Sequence, residues 1–203
     1  MRIIFATGNA HKMREIREIL GETDTEVLSM KEAGIEADIV EDGQTFAENA
    51  LIKAKGIAEL VKDGDTIVMA DDSGLVIDAL NGEPGVFSAR YMGEDTSYRI
   101  KNKNLIDRLE GVPEGKRSAR FVCAMAACFP DGTERVVEGK IEGRIGYVER
   151  GANGFGYDPI FYLPDRDVST AELSPEDKNA ISHRGNALRL MKQEVEAWKA
   201  ERK

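Results

Sequence analysis

Asp71 and Asp72 stand side by side after a short apolar run, Ile67–Ala70, and are followed by Ser73 and Gly74. The length and β-branched content of the run predict a buried strand that ends at the two acids. Two adjacent carboxylates repel each other, and burying either one without a cation is costly. Because α/β proteins place ligands at the carboxyl ends of strands, the segment fits a metal site or a catalytic base. An ordinary polar turn after a strand is the alternative.

A second candidate site lies near the N-terminus. An apolar run over Arg2–Ala6 predicts a strand, the next three residues predict a polar turn, and Lys12–Leu20 predicts a helix that ends at Gly21. Asn9 suits the N-cap, which puts Lys12 in the first turn of the helix. A cation there opposes the helix dipole unless an anion binds at the turn. The pattern therefore fits a phosphate site, with a solvated lysine as the alternative.

The same unusual charge pattern recurs near the C-terminus. Ser174 and Pro175 predict the start of one helix, and Ser182 predicts the start of another whose first turn contains His183 and Arg184. Helix starts favour acids rather than these cations. Two such starts in a chain of net charge −9 suggest one anionic ligand, held by residues from both ends of the sequence.

A glycine-rich loop over Gly151–Pro159 carries two aromatic residues, Phe155 and Tyr157, and one acid, Asp158. Glycine lets the backbone approach a ligand closely, and exposed aromatic rings can stack on a planar base. The alternative is that both rings pack the loop onto the core, as most aromatic side chains do.

The remaining segments supply the scaffold. Asp131-Gly132 between Ser118–Phe129 and Glu134–Tyr147 predicts a β-hairpin, and hence a mixed sheet. The other predicted elements are a strand at Thr25–Met30, a capping box at Thr45–Glu48 that starts a helix reaching Val61, a glycine-rich loop at Ala79–Arg90, a helix from Asp95-Thr96 to Leu109 with Ile100 on its apolar side, and a short strand at Ile160–Tyr162.

Composition limits the function classes. The chain has 203 residues, 41% hydrophobic and 32% charged, which suits one globular domain over residues 1–203. Its net charge of −9, without a basic run, disfavours nucleic-acid binding. Cys123 and Cys128 are five apart on a predicted strand, so their side chains point to opposite faces and are poorly placed to form a disulfide. Both are predicted to be reduced thiols in the core. With neither a signal peptide nor a membrane-length apolar segment, the sequence predicts a cytoplasmic protein that binds no membrane.

Together these parts describe a binding site for a nucleotide polyphosphate with magnesium. Glu41, in a loop before a helix, and Asp72 offer carboxylates to a hard divalent cation, most simply Mg²⁺. Taken alone, Glu41 fits a solvated loop acid better than a metal ligand. Lys12, Lys178 and the cations at the second helix start offer positive charge to phosphates. The chemistry that fits is cleavage of a phosphate anhydride, with a carboxylate that orients water.

The sequence resembles the inosine/xanthosine triphosphate pyrophosphatase family in five motifs that occur in order from Ile3 to about Leu190. The motifs are Thr7-Gly8-Asn9-x-x-Lys12, Ala70-Asp71-Asp72-Ser73-Gly74-Leu75, Gly85-x-x-Ser88-Ala89-Arg90-Tyr91, Gly154-Phe155-Gly156-Tyr157-Asp158-Pro159 and Ser182-His183-Arg184-Gly185. Five ordered matches are far more specific than any one of them.

The resemblance implies an enzyme that hydrolyses ITP, dITP and XTP to the monophosphate and pyrophosphate with Mg²⁺. It implies that Asp72 is the catalytic proton acceptor and a metal ligand, with Glu41 as a second metal ligand. The implied triphosphate-binding residues are Thr7, Gly8, Asn9 and Lys12, with Ala10 and His11 at variable positions between them. The implied remainder of the nucleotide site is Ser73, Phe155, Gly156, Tyr157, Asp158, Lys178, His183 and Arg184.

The resemblance also implies an α/β fold with a long, bent mixed sheet flanked by helices, two lobes with a central cleft, and a homodimer. The adjacent acids then have separate roles, since a continuing strand would point Asp71 away from Asp72 and leave it as a support. Two alternatives are a Maf-like pyrophosphatase for modified nucleotides and a nucleotide-binding module without catalysis. The Ser182-His183-Arg184 motif argues against the first and the paired acids against the second.

Overall fold

The computed structural model describes residues 1–20, 25–61 and 63–202. Its strands are β1 (Arg2–Phe5), β2 (Glu26–Ser29), β3 (Thr66–Ile77), β4 (Ser118–Cys128), β5 (Glu134–Ile145) and β6 (Phe161–Tyr162). Its α-helices are α1 (Ala10–Leu20), α2 (Phe46–Ala58), α3 (Tyr98–Arg108), α4 (Pro175–Ile181) and α5 (His183–Ala200). No helix in these ranges is long and apolar enough to cross a membrane.

The six strands form one sheet in the order β2-β1-β3-β4-β5-β6. β1 is parallel to both β2 and β3, and α1 provides the crossover that a parallel pair requires. β5 is antiparallel to β6, and β4 and β5 are joined by a tight turn in which the Phe129 N–H donates to the Thr133 carbonyl at 2.8 Å. The sheet is therefore mixed, which confirms the predicted α/β class and the predicted hairpin.

The chain forms two compact units. Unit one contains Met1–Asp72, Cys123–Gly139 and His183–Lys203. Along β4 its buried side chains alternate between two apolar clusters, with Cys123 in the cluster that includes Phe5 and Cys128 in the cluster that includes Ile57. This alternation follows from the period of two in a strand and confirms that the two buried cysteines lie on opposite faces.

Unit two contains Ser73–Val122 and Lys140–Ser182, and its core includes Leu75, Leu105 and Phe161. The buried guanidinium of Arg117 donates to the carbonyls of Leu109, Ile145 and Gly146 at 2.7–2.9 Å. These hydrogen bonds fix the end of α3 to the end of β5. Burial of a guanidinium without such acceptors would be costly, so the three carbonyls account for its position.

Several predicted helix boundaries are confirmed. Thr45 and Glu48 form a reciprocal capping box at the start of α2. Ser174 caps α4 with Pro175 in its first turn, and α5 begins immediately after Ser182. The predicted end of the first helix at Gly21 lies outside the described residues.

Two sequence predictions differ from the structure in the segment before α3. The helix begins at Tyr98 rather than at Asp95-Thr96, because the Thr96 hydroxyl donates to the Met92 carbonyl at 2.7 Å and its N–H to the Gly93 carbonyl at 3.3 Å. These bonds form a turn instead of a helix cap. Ile100 is 54% exposed, so its assignment to the buried face was wrong.

Candidate active site

β3 does not end at the acids but runs through them to Ile77, so Asp71 and Asp72 point to opposite faces of the strand. Both side chains are buried. Each has its own set of partners in unit one. The two adjacent carboxylates therefore occupy separate electrostatic environments, and the strand is longer than the apolar run predicted.

Asp71 is held by two cations. Its Oδ2 lies 3.0 Å from Lys12 Nζ and 3.1 Å from Arg184 Nη2. Burial alone would raise the pKa of the carboxyl, but Lys12 and Arg184 hold that pKa well below its usual range. Arg184 also contacts the buried carboxylate of Glu15. Asp71 is thus a permanently charged support that links helices α1 and α5.

Asp72 has a different set of neighbours. Its Oδ2 accepts a hydrogen bond of 3.1 Å from Asn49 Nδ2, and its Oδ1 lies 3.9 Å from Lys53 Nζ. Burial is the main cause that raises the pKa of Asp72, and Lys53 opposes it. A raised pKa makes this carboxylate a better proton acceptor than an exposed aspartate, as a general base requires.

Lys53 joins Glu41 to this group, because its Nζ also lies 2.8 Å from Glu41 Oε2. Asn49 further fixes the loop that carries Glu41 by accepting the Gly43 N–H at 2.8 Å. Sequence reasoning missed both Asn49 and Lys53. Both are polar residues on α2, and their residue types could have marked them as candidates. Their contacts with Asp72 and Glu41 form only in the folded chain, so the sequence does not reveal them.

The group fits a magnesium ion. Glu41 and Asp72 offer carboxylate oxygens on either side of a shared cationic neighbour, Lys53. Mg²⁺ characteristically binds through one or two carboxylates and completes its shell with water and substrate phosphates. In the described ranges no cluster of three or more His, Cys, Asp or Glu side chains could hold a metal on its own. Water and substrate oxygens would complete the coordination of an ion held by Glu41 and Asp72.

The turn before α1 has the predicted cap. Asn9 Oδ1 accepts the N–H groups of His11 and Lys12 at 3.0 and 3.2 Å, and Thr7 Oγ1 accepts the Asn9 N–H at 3.1 Å. These bonds occupy two N–H groups that an anion could otherwise use. A methyl group at Gly8 would meet no described atom within 4 Å, so the backbone there faces open space. Gly8–His11 are all exposed.

His183 is the first residue of α5 and is buried. Its carbonyl and the N–H of Ala187 come so close to Gly139 that a Cβ there would lie 2.4 and 2.3 Å from them. Gly139 therefore lets β5 contact the start of α5. The predicted cations His183 and Arg184 do occupy a first helical turn, but Arg184 is paired with two buried acids.

In unit two, Asp158 organises the glycine-rich loop. Its Oδ2 accepts the Phe155 N–H at 2.8 Å and contacts Lys178 Nζ at 2.6 Å. Gly154 has a φ of +73°, and a Cβ there would lie 2.2 Å from Asp158 Oδ2, so only glycine fits. Lys178 Nζ lies 5.2 Å from the centroid of the half-buried Phe155 ring, within cation–π range.

The two aromatic residues of the loop have different roles. Tyr157 is buried in the core of unit two, and its hydroxyl donates to the Ser88 carbonyl at 2.6 Å. Ser88 Oγ in turn accepts the Leu75 N–H at 2.9 Å and donates to the Gly85 carbonyl at 2.6 Å. The Gly85–Tyr91 motif therefore supports the loop. Packing explains Tyr157, whereas Phe155 is only partly buried.

The predicted site residues thus fall into two sets. The unit-one set contains Thr7, Gly8, Asn9, Ala10, His11, Lys12, Glu41, Asp72, His183 and Arg184. The unit-two set contains Ser73, which is partly buried on β3, with Phe155, Gly156, Tyr157, Asp158 and Lys178. Unit one supplies carboxylates and cations suited to phosphate chemistry, and unit two supplies an aromatic face with a fixed ammonium.

Comparisons with known proteins agree with this chemistry. The family model of the Ham1 family matches residues 3–194. A "dITP/XTP pyrophosphatase" of Thermoanaerobacter pseudethanolicus is 49% identical over 192 residues, covering 95% of each chain. One of Clostridium perfringens is 45% identical over 194 residues, covering 94% of this chain and 95% of the relative.

Solved structures also match over nearly the whole chain. The Ham1 protein of Staphylococcus aureus superposes with a TM-score of 0.86 at 40% identity, covering 97% of this chain and 99% of the other. A Ham1 protein from Coxiella burnetii gives a TM-score of 0.85 at 40% identity over the same fractions. The match of fold, sequence and motifs over nearly the whole length confirms the resemblance drawn from the five motifs, and this chain belongs to the Ham1 family.

Proposed function

We propose that this chain hydrolyses the deaminated purine nucleoside triphosphates ITP, dITP and XTP to the nucleoside monophosphate and pyrophosphate. The observation that carries the proposal is the buried Asp72 carboxylate with Glu41 and Lys53 beside it. A binding module for triphosphates gains nothing from two extra carboxylates, whereas a hydrolase needs a proton acceptor. The names of the similar relatives support the same reaction.

In the proposed reaction, water attacks the α-phosphorus, and the bond between that phosphorus and the bridging oxygen to the β-phosphate breaks. Asp72 orients the water and accepts its proton. Lys12 neutralises the negative charge that develops on the leaving pyrophosphate. The triphosphate also contacts Thr7, Gly8 and Asn9 at the turn before α1.

Glu41 and Asp72 would hold Mg²⁺, whose positive charge would neutralise the phosphates when it is bound. Lys53 neutralises part of the charge of the two carboxylates before the ion binds, and its ammonium would compete with Mg²⁺ for them. Asn49 orients Asp72 by donating to one of its oxygens.

Unit two recognises the base in this proposal. Phe155 provides a face for stacking, and the Lys178 ammonium donates to the 6-oxo group of hypoxanthine or xanthine. Adenine has an amino donor there, so it would leave the ammonium opposite another donor, which a hydrogen-bonding site rejects strongly. GTP also has a 6-oxo group, and its exclusion must depend on its 2-amino group.

Arg184 has a supporting role, since its contacts with Asp71 and Glu15 are buried within unit one. His183 lies beside it at the start of α5 and completes the nucleotide site.

We further propose a cytoplasmic homodimer of single-domain chains that binds no nucleic acid. Light scattering of the purified protein tests the dimer, and a monomer mass at working concentration would contradict it.

Product analysis tests the reaction. Phosphorus NMR of ITP with the enzyme and Mg²⁺ should show IMP and pyrophosphate growing at equal rates, with no inorganic phosphate. The products IDP and inorganic phosphate would instead mean cleavage of the terminal anhydride and would refute the proposal. Modified pyrimidine triphosphates in the same assay test the Maf-like alternative, and faster hydrolysis of those would favour it.

A further inference from the structure

The segment 169–173 of unit two packs against the glycine-rich loop that carries Phe155 and Asp158. Both the Ala152 and the Asn153 N–H donate to the Ala171 carbonyl, at 3.1 and 2.9 Å. A Cβ at Gly151 would lie 2.3 Å from the Ala171 carbonyl, so the two backbones are in direct contact. The loop is therefore built on this segment, and residues of the segment can position residues of the loop.

Thr170 makes the direct link to the recognition residues. It is 3% exposed, and its Oγ1 lies 2.8 Å from Asp158 Oδ1 and 3.2 Å from the Asp158 carbonyl. A hydroxyl has one proton, which goes to the nearer and charged acceptor, Oδ1. The other carboxylate oxygen of Asp158 holds Lys178 and the Phe155 N–H. The Thr170 bond therefore fixes the rotation of the carboxylate group that places both of them.

We propose that Thr170 is a positioning residue for base recognition, acting through Asp158 on the Lys178 ammonium and the Phe155 backbone. The inference rests on the proposed function, in which these two residues recognise a 6-oxopurine. Without the hydroxyl, Asp158 loses the side-chain donor to its Oδ1, and its carboxylate is held only through Oδ2. Lys178 then loses its fixed direction toward the 6-oxo group.

The neighbouring Ser169 provides a matched control. Its side chain is also buried, and its Oγ donates to the Arg150 carbonyl at 2.7 Å rather than to Asp158. Ser169→Ala removes one buried hydroxyl from the same segment without touching the recognition residues. A purely structural effect of losing a hydroxyl would be shared by both variants.

The test compares Thr170→Val, Thr170→Ser and Ser169→Ala in steady-state hydrolysis of ITP and ATP. We expect Thr170→Val to raise KM for ITP about tenfold, with kcat within about threefold, and to lower the ITP-to-ATP ratio of kcat/KM. Thr170→Ser should restore KM, and Ser169→Ala should leave it at the wild-type value. A wild-type KM in Thr170→Val, or the same rise in Ser169→Ala, overturns the inference.

A double-mutant cycle keeps the inference testable if Thr170→Val folds poorly. Thr170→Cys retains a similar size with a weak S–H donor, and it should give an intermediate KM. In an Asp158→Ala background, Thr170→Cys should change KM little, because the threonine acts through the lost carboxylate. Additive effects overturn the positioning role. Equal wild-type kcat/KM for ITP and ATP would instead refute the proposed function itself.

Discussion

The ammonium of Lys12 lies 3.0 Å from the carboxylate of Asp71. Lys12, which is expected to bind the triphosphate, is therefore held by Asp71. The side chain of Asp71 lies on the opposite face of β3 from that of Asp72. The Lys12 side chain is 16% exposed, while the Asp71 side chain is fully buried. Asp71 thus holds in place the ammonium that we propose binds the triphosphate.

Replacing Asp72 by asparagine tests the catalytic assignment. Asp72→Asn keeps the shape of the side chain but cannot accept a proton, so we expect kcat on ITP to fall about 10²–10⁴-fold. Binding of ITP, measured by calorimetry, should largely survive. Asp65→Asn is the control, since Asp65 lies just before the same strand with an 86% exposed side chain. An unchanged kcat in Asp72→Asn would refute the role.

Removing the Lys12 ammonium should weaken binding of the triphosphate. We expect Lys12→Ala to raise KM for ITP about tenfold or more, because a charge-assisted contact to phosphate is lost. Arg14→Ala is the matched control on α1, with an exposed side chain that contacts Glu18. Wild-type KM and kcat in Lys12→Ala would contradict the assignment of the turn before α1 as the phosphate site.

Removing the Lys53 ammonium should strengthen the binding of Mg²⁺. In Lys53→Met the cation between Glu41 and Asp72 is lost, so the carboxylates attract Mg²⁺ more strongly and the half-saturating Mg²⁺ concentration falls. At the same time kcat should fall, because the site loses a positive charge. Calorimetric titration of the nucleotide-free protein with Mg²⁺ gives a readout that does not depend on turnover.

The control for Lys53 is Lys55→Met on the same helix. Lys55 Nζ lies 2.9 Å from Glu134 and contacts neither of the site carboxylates. It should leave the Mg²⁺ dependence unchanged. A higher half-saturating concentration in Lys53→Met would mean that Lys53 assists metal binding rather than competing with it.

Arg184 should matter more for stability than an exposed arginine. Arg184→Met leaves Asp71 and Glu15 buried with fewer countercharges, so we expect the free energy of unfolding to fall by about 3–5 kcal/mol. Urea unfolding followed by circular dichroism measures this. Arg189→Met, on the exposed side of the same helix, should change stability little. Equal stability of Arg184→Met and wild type would contradict the supporting role.

The elements whose signals are local were predictable from the sequence. The Asp131-Gly132 hairpin, the Thr45–Glu48 capping box and the Ser174-Pro175 helix start each depend on neighbouring residues alone, and each is confirmed. The alternating faces of β3 also follow from the pleat, which separates Asp71 from Asp72.

The partners of buried polar groups were not predictable. Lys53 looks like any polar residue on α2, and only the fold brings it to Glu41 and Asp72. Arg184 was predicted to bind an anionic ligand because it lies in the first turn of α5. In the fold its guanidinium pairs with the buried carboxylates of Glu15 and Asp71. Such pairings depend on residues that are distant in the sequence, and periodicity carries no information about them.

Direct competition between ITP and ATP measures the selectivity of the enzyme for a 6-oxopurine. ITP and ATP, present together at equal concentration with Mg²⁺, compete for the purified enzyme, and the ratio of their hydrolysis rates equals the ratio of kcat/KM. We predict that ITP is hydrolysed to IMP and pyrophosphate about 10²-fold or more faster than ATP. A ratio near one would contradict it.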